Sequence, residues 1–296
     1  MPTHNPLDVV ANLERMIASG DGAACADVVP MAPWVRGHRG AMEQTEDQVW
    51  MSCGTATLDK KDKAVVHVSE LPAGMNTGAF KELLNRLVAQ GLVAGFVEDH
   101  STRHVRVKVV LSKEGQRAAA KDGGLALLLK LRAPVRTNHM HAFDLDGNIR
   151  QYHDAAELLR EFYPIRLALY GERRGAELGA LAAELDVTSN RKRFVAEVAS
   201  GAIELTAGRM NTQRLAEVLH ERGYSESASG GGGFDYLLSM PLGSFTAEKR
   251  AALDAAEKRI AGRRAELEGL RPEDLWLADL AEVRAQFEAD LGRDGE

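Results

Sequence analysis

Apolar residues recur at helical spacing through most of the second half of the chain, and this periodicity restricts the fold more than any other feature. The first series indicates one long helix or two stacked helices, interrupted at Pro164, and comprises Leu158, Leu159, Phe162, Ile165, Leu169, Leu178, Leu181 and Leu185. A second long helix is predicted from an N-cap at Thr246 to about Leu270, and shorter helices are predicted near Phe194 and Leu215. Two long helices separated in the sequence by short helices predict an antiparallel coiled-coil arm, with the short helices forming a globular tip.

The first half of the chain mixes strand and helix patterns instead. Alternating apolar and polar residues predict strands near 65–70 and 105–109, and a helical pattern lies between them at 80–88. Asn5 and Pro6 predict a helix start, and the Asp146-Gly147 pair predicts a hairpin turn in which Asp146 caps the bend. The fold class is therefore predicted to be α+β, a small mixed α/β domain followed by the helical arm.

The charge and the cysteine content limit the functional class. A formal net charge of −6 argues against a wholly basic nucleic-acid binder, although a local basic face remains compatible with it. Cys25 and Cys53 are far apart and have no metal-type spacing, which favours a reducing intracellular compartment. The sequence predicts neither a signal peptide nor a membrane span.

Four short motifs follow one another along the chain: PWVRGHRG at 33–40, NHMHAFD at 138–144, YLLSMPL at 236–242 and DLW at 274–276. Their order and spacing resemble the C-terminal part of the DNA breakage-reunion region of eukaryotic-type type IIA DNA topoisomerases. The resemblance assigns 1–32 to the end of a winged-helix region, 33–138 to a tower-like α+β domain, and 139–296 to a hairpin with a coiled-coil exit gate. Val35 and His38 depart from the family, which has aromatic residues at these positions.

The resemblance implies a DNA-bending surface around the first motif. Arg36, His38 and Arg39 keep the basic character of the family's DNA-contacting segment, and guanidinium groups suit phosphate because they offer a planar pair of donors. Met42 stands where the family places an apolar side chain that wedges between base pairs. The alternative is that Met42 is a half-exposed packing residue.

A second group of candidate DNA-binding residues comes from the charge pattern. The stretch 103–136 contains nine Lys and Arg residues, opposed only by Glu114 and Asp122. Arg106 and Lys108 lie two residues apart on a predicted strand, so they share one face and could bind phosphate together. The alternative is an ordinary solvated surface.

The resemblance also implies what the whole enzyme would need. An ATP-dependent type II topoisomerase passes one DNA duplex through a break made by a tyrosine with Mg²⁺, and it works as a homodimer. The family's nucleophile follows an arginine directly, and none of the five tyrosines here does so. We therefore expect a fragment or a separately encoded subunit that binds neither Mg²⁺ nor ATP. It would be inactive alone, would need a missing N-terminal portion or a separate ATPase/cleavage subunit, and would be found with DNA in the nucleoid, cytoplasm or nucleus.

Two other hypotheses remain open from the residues. The chain could be a non-catalytic coiled-coil dimerisation protein without a DNA role, which the acidic net charge favours. It could also be a metal enzyme that uses Asp144 and Asp146, because Mg²⁺ prefers a few carboxylates plus water. His139 and His141 could form a zinc pair, but no third ligand is evident nearby, so structural histidines are favoured.

Overall fold

The computed structural model describes residues 1–20, 22, 28–101, 104–121, 123–203, 212–226 and 233–295. It divides into two compact units, one formed by Met1–Pro164 with Asp279–Glu296 and the other by Ile165–Ala278. Within the described residues, the α-helices and strands in chain order are α1 (Pro6–Ser19), β1 (Met42–Glu46), β2 (Val49–Cys53), β3 (Thr55–Leu58), β4 (Val65–Glu70), α2 (Thr77–Ala89), β5 (Val93–Glu98), β6 (Val107–Leu111), α3 (Lys113–Ala119), α4 (Gly124–Leu128), β7 (Arg132–Arg136), β8 (His141–Phe143), β9 (Ile149–Gln151), α5 (Ala155–Ala199), α6 (Thr212–Glu221), α7 (Asp235–Leu238), α8 (Ala247–Gly269) and α9 (Pro272–Gly295).

Helix α1 begins and ends at the residues that local chemistry favours. The Asn5 side chain accepts a hydrogen bond from Leu7 N at 3.1 Å, and Pro6 occupies the first turn, where no backbone N–H is needed. Gly20 ends the helix with a left-handed φ of 73°. The predicted start of this helix is therefore confirmed.

The first unit contains a three-stranded antiparallel sheet in the order β1-β2-β7. A tight turn with Gln48 at φ 57° joins β1 to β2, and Met42 at the start of β1 lies opposite Ser52 of β2. Because side chains alternate between the two faces of a strand, Met42 and Ser52 share a face with Ala133 of β7. This sheet positions the residues that follow the PWVRGHRG motif.

A four-stranded antiparallel sheet in the order β3-β4-β6-β5 holds the main apolar core of the same unit. Val66 and Val68 of β4 and Val107 and Val109 of β6 are buried on one face with residues of α2. Burying one such side chain contributes about 1.5–3 kcal/mol relative to leaving it exposed. Arg106 and Lys108 are exposed, as the alternation along β6 requires.

The hairpin of β8 and β9 follows, with Phe143 paired to Ile149. The prediction that Asp146 caps the bend is wrong, because the carboxylate of Asp144 makes these contacts. Asp144 Oδ1 accepts from Asp146 N at 3.0 Å and from Asn148 N at 2.8 Å, and Gly147 takes a left-handed φ of 80°. A carboxylate two residues before the bend reaches these amides without strain, as in an Asx turn.

Helix α5 extends over 45 residues and contains Pro164. The prediction of a separate helix beginning near Phe194 is wrong, because α5 runs without a break to Ala199. A proline inside a helix removes one backbone hydrogen bond and costs about 3 kcal/mol or more. Buried aromatic side chains lie on both sides of it, at Tyr163 and Tyr170, and their burial offsets such a cost.

In the second unit α5 and α8 run antiparallel. Arg174 donates to the backbone oxygens of Leu267 and Glu268 at 3.2 and 2.8 Å. Farther along α5, Lys192 lies 2.7 Å from a carboxylate oxygen of Asp254. As the residue number rises along α5, the number of the contacted residue falls, which is the pattern of an antiparallel helix pair. The predicted N-cap of the second long helix is also confirmed, since Thr246 Oγ1 accepts from Lys249 N at 3.3 Å.

A small helical cluster completes this unit. Its buried core consists of Phe194, Ile203, Leu219, Tyr224, Phe234 and Leu237. The predicted α+β class with a long helical part is thus confirmed. None of the helices in the described ranges is both long and apolar enough to cross a membrane.

Candidate functional site

The segment 33–40 is attached to the N-terminus of the chain and to its last residues. Pro33 forms an isolated antiparallel bridge with His4, and Trp34 N donates to Thr3 O at 2.7 Å. The Trp34 ring meets the edge of the Phe287 ring at a centroid distance of 5.9 Å. Burial lowers the pKa of His4, a shift that Asp8 partly opposes, so the imidazole is favoured in its neutral form at this junction.

A turn after Trp34 carries the two arginines of the motif. His38 N donates to Val35 O at 3.1 Å, and Gly37 adopts a left-handed φ of 82° that suits glycine. Arg36 and Arg39 are both exposed. Two guanidinium groups are therefore held on one short, hydrogen-bonded turn, which is a suitable arrangement for binding phosphate.

His38 differs from its two basic neighbours in burial. Its side chain is 6% exposed, and its Nε2 lies 3.1 Å from Ser52 Oγ. Its Nδ1 lies 3.6 Å from a carboxylate oxygen of Glu70. Both ring nitrogens therefore lie near polar atoms of the protein itself.

Met42 follows the turn as the first residue of β1 and is half-buried. The neighbouring Glu43 forms an ion pair with Arg132 of β7. The hydrogen bond from Arg132 to the Cys53 side chain and the Glu43 charge raise the pKa of Arg132, which therefore stays charged. The exposed side of this sheet thus carries a cation that is already paired with a carboxylate.

Arg106 and Lys108 lie at the four-stranded sheet. Lys108 lies between His67 of β4 and Val97 of β5, and Arg106 directly precedes β6. Arg106 N donates to His100 Nδ1 at 3.3 Å. Arg36, His38, Arg39 and Met42 therefore form one group along a single turn and strand, and Arg106 with Lys108 forms another on a different sheet. Arg103, from the same basic stretch, lies outside the described residues.

The sequence did not identify Ser52 and Glu70 as residues of the candidate site, because no local pattern indicates that they contact His38. Ser52 lies on β2 and Glu70 ends β4, so both are distant from His38 along the chain and reach it only through the pairing of the strands. An alternating pattern can predict that such residues lie on a strand, but it cannot predict which loop they meet.

The other candidate groups have structural explanations. In the described part of the chain, no group of three or more His, Cys, Asp or Glu residues is arranged to hold a metal ion. The Asp144 oxygen that caps the hairpin already accepts two backbone hydrogen bonds. Burial raises the pKa of Tyr152, Tyr224 and Tyr236, which disfavours the phenolate that a tyrosine nucleophile requires.

The sequence matches, over residues 1–281, the family model that describes the A-type subunit of DNA gyrase/topoisomerase IV. It is 27% identical to DNA topoisomerase 2 of Arabidopsis thaliana over 329 residues, covering 97% of this chain and 22% of the relative. It is 28% identical to human DNA topoisomerase 2-beta over 318 residues, covering 95% of this chain and 19% of the relative. The chain thus spans about a fifth of the length of these curated relatives.

The fold is similar to that of a solved Plasmodium falciparum protein described as the topoisomerase II DNA-binding, cleavage and re-ligation domain. The TM-score is 0.83 at 23% sequence identity, and the match covers all of this chain and 43% of the other. At this level of identity, the likeness concerns the fold.

Proposed function

Because this chain belongs to the DNA gyrase/topoisomerase IV family of A-type subunits, we propose that it supplies DNA binding, DNA bending and exit-gate dimerisation to an ATP-dependent type II DNA topoisomerase. In this proposal, residues 33–138 form the DNA-bending domain, and 139–296 form the hairpin and the gate. Duplex DNA is the substrate and a second copy of the chain is the partner. The remaining parts of the enzyme supply the cutting tyrosine and the ATPase.

The turn that carries Arg36 and Arg39 is the observation on which the proposal rests most. Two exposed guanidinium groups on a hydrogen-bonded turn are followed by half-buried Met42 at the start of a strand. Phosphate contacts fix the position of a protein on duplex DNA, and an apolar wedge trades base stacking for a kink that brings more DNA against the protein. Arg106 and Lys108 would add phosphate contacts from the exposed face of the second sheet.

Magnesium and ATP enter the proposal only through the whole enzyme. Mg²⁺ would assist the attack of a tyrosine on a phosphodiester, and ATP would drive strand passage. In the described residues no group of three or more His, Cys, Asp or Glu residues is arranged to hold a metal ion, and in this proposal other parts of the enzyme bind both Mg²⁺ and ATP. The sequence contains no Arg-Tyr pair. We expect no relaxation of supercoiled plasmid by this chain alone in the presence of ATP and Mg²⁺.

The salt dependence of duplex binding tests the proposal. Each phosphate neutralised by a protein cation steepens the slope of log affinity against log salt by about 0.9. We expect the Arg36→Ala/Arg39→Ala variant to bind more weakly and to lose about 1.8 from that slope. The measurement is fluorescence anisotropy of a labelled duplex over a series of salt concentrations.

A matched control removes the same charge elsewhere. Arg259 and Arg263 are exposed on α8, so Arg259→Ala/Arg263→Ala changes the net charge equally and should leave the slope unchanged. If wild type does not bind duplex DNA at low salt, the proposal fails and the dimerisation protein without a DNA role is favoured. If both double variants lose the same slope, binding is a general effect of charge and the turn is not the site.

A further inference from the structure

His38, Ser52 and Glu70 form a largely buried polar network that joins the arginine turn to the three-stranded and the four-stranded sheets of the first unit. Ser52 is fully buried on β2, and Glu70 ends β4. The His38 ring lies between them, with its Nε2 3.1 Å from Ser52 Oγ and its Nδ1 3.6 Å from Glu70 Oε1. One side chain of the turn is therefore tied to two separate sheets.

The hydrogen bonds of Ser52 determine the tautomer of His38. Ser52 Oγ accepts from Ala73 N at 2.8 Å, and a buried hydroxyl needs an acceptor for its own proton. The nearby Nε2 of His38 is that acceptor, which leaves the ring proton on Nδ1, facing Glu70. Each member of the network then has a defined role as donor or acceptor, and this fixes the orientation of the ring.

The same residues also determine where Met42 lies. Ser52 is the cross-strand partner of Met42, and Cys53 N donates to Ala41 O at 2.9 Å, just before β1. The network thus borders the arginine turn on one side and the start of β1 on the other. A group held in its working position before the ligand arrives avoids the entropy cost of ordering on binding.

We propose that the His38–Ser52–Glu70 network is a positioning device that holds the Arg36–Arg39 turn and Met42 in register, so that phosphate binding is converted into bending of the duplex. This inference rests on the function proposed above and assigns His38 a role other than phosphate contact. Without the network, the two arginines still attract phosphate, since guanidinium groups on a loose turn remain charged. Met42 then loses its fixed position relative to them, and the duplex is bound but bent less.

The test measures two quantities for each variant: the bend of the duplex at saturating protein, and the slope of log affinity against log salt. A duplex of about 30 base pairs carries a donor and an acceptor dye at its two ends, so that energy transfer reports the bend. We expect His38→Phe, which keeps a ring but removes both nitrogens, to lower the energy transfer at saturation as far as Met42→Ala does. Its salt slope should remain that of wild type, in contrast to Arg36→Ala/Arg39→Ala. The overall affinity should fall about tenfold, because the apolar contact of Met42 with the bases, which does not depend on salt, is lost with the bend.

Further variants separate positioning from a purely structural role. His38→Gln keeps one acceptor for the Ser52 hydroxyl and one N–H donor, so it should retain most of the bend. Ser52→Ala should reproduce His38→Phe and replaces it as the test if His38→Phe fails to fold. The same substitution at an exposed histidine of the second unit, His220→Phe, is the control and should bend DNA as wild type does. A merely structural defect lowers the melting temperature but leaves the bend at saturation unchanged.

The outcomes distinguish this inference from the proposed function. If wild type bends the duplex and folded His38→Phe bends it equally, the positioning role is overturned while the proposed function stands. If wild type binds duplex DNA but does not bend it, the wedge and the positioning role both fail, and the phosphate contacts remain. If wild type does not bind at low salt, the proposed function fails and this inference fails with it.

Discussion

Gly40 is the position at which a single added methyl group should disturb the candidate site most. A Cβ built at Gly40 would lie 1.8 Å from the backbone oxygen of Cys53 and 2.7 Å from His38 Cε1. The Cys53 oxygen belongs to β2 and cannot rotate away as the end of a side chain can. Gly40→Ala therefore requires the turn and the strand to move apart.

The cost of this separation follows from the contacts that it breaks. Overpacking in a well-packed region costs about 1–3 kcal/mol. The hydrogen bond from Cys53 N to Ala41 O and the contact of His38 with Ser52 lie at the same place, and each such bond contributes about 1 kcal/mol. We expect Gly40→Ala to lower the free energy of unfolding of the first unit by about 3 kcal/mol.

Urea unfolding followed by tryptophan fluorescence measures this change in a Trp276→Phe background, because the remaining Trp34 and Trp50 both belong to the first unit. A slope of about 1–3 kcal/mol per molar urea places the midpoint of Gly40→Ala about 1–3 M lower than that of wild type. The control is Gly95→Ala, since a Cβ at Gly95 meets nothing within 4 Å, and it should change stability by less than about 0.5 kcal/mol. If Gly40→Ala unfolds at the wild-type midpoint, the close approach of the turn to β2 is wrong, and so is the network built on it.

Two further predictions concern the helical unit. Trp276 is 3% exposed and stacks on Tyr170 at a centroid distance of 5.6 Å, so Trp276→Ala should destabilise this unit by about 3–5 kcal/mol, with Trp276→Phe closer to wild type, as measured by thermal unfolding. Lys192 hydrogen-bonds Asp254 and Glu257 and lowers the pKa of both carboxyl groups in the folded protein. The ion pairs therefore stabilise the folded state above the pKa values that these carboxyl groups have in the unfolded chain. This stabilisation is lost as the pH falls through the lowered pKa values of the folded state. Lys192→Met should therefore melt below wild type at about pH 7 and converge with it towards about pH 2, and a difference independent of pH would contradict the ion-pair account.

Local chemistry in the sequence predicted the starts of two helices. The caps at Asn5 and Thr246 act through side chains close to the helix end, so the residues themselves carry the signal. The family resemblance was also within reach of the sequence, and the family model and the relatives confirm it. The continuation of α5 beyond Pro164 was not predictable in this way, because packing of distant residues decides whether a helix tolerates a proline.

The residues of the candidate site also differ in how far the sequence alone predicts their environment. The exposure of Arg36 and Arg39 follows from their place in a polar, glycine-containing turn. The burial of His38 depends on Ser52 and Glu70, which reach it only after two sheets have formed. A single sequence presents His38 as a third basic residue of the motif, and only the tertiary pairing shows that its side chain is buried beside Ser52 and Glu70.

The acidic net charge is the main argument against a DNA role, and the location of the charges weakens it. Arg150 lies beside both Glu157 and Glu161, and Lys192 lies beside both Asp254 and Glu257, so each of these groups keeps one net negative charge instead of two. Salt screens such a charge beyond a Debye length of about 8 Å at physiological ionic strength. The turn of Arg36 and Arg39 has no acidic residue in sequence between Trp34 and Met42. Because a phosphate backbone responds to the local field rather than to the total charge, a chain with a net charge of −6 can present a cationic turn to duplex DNA.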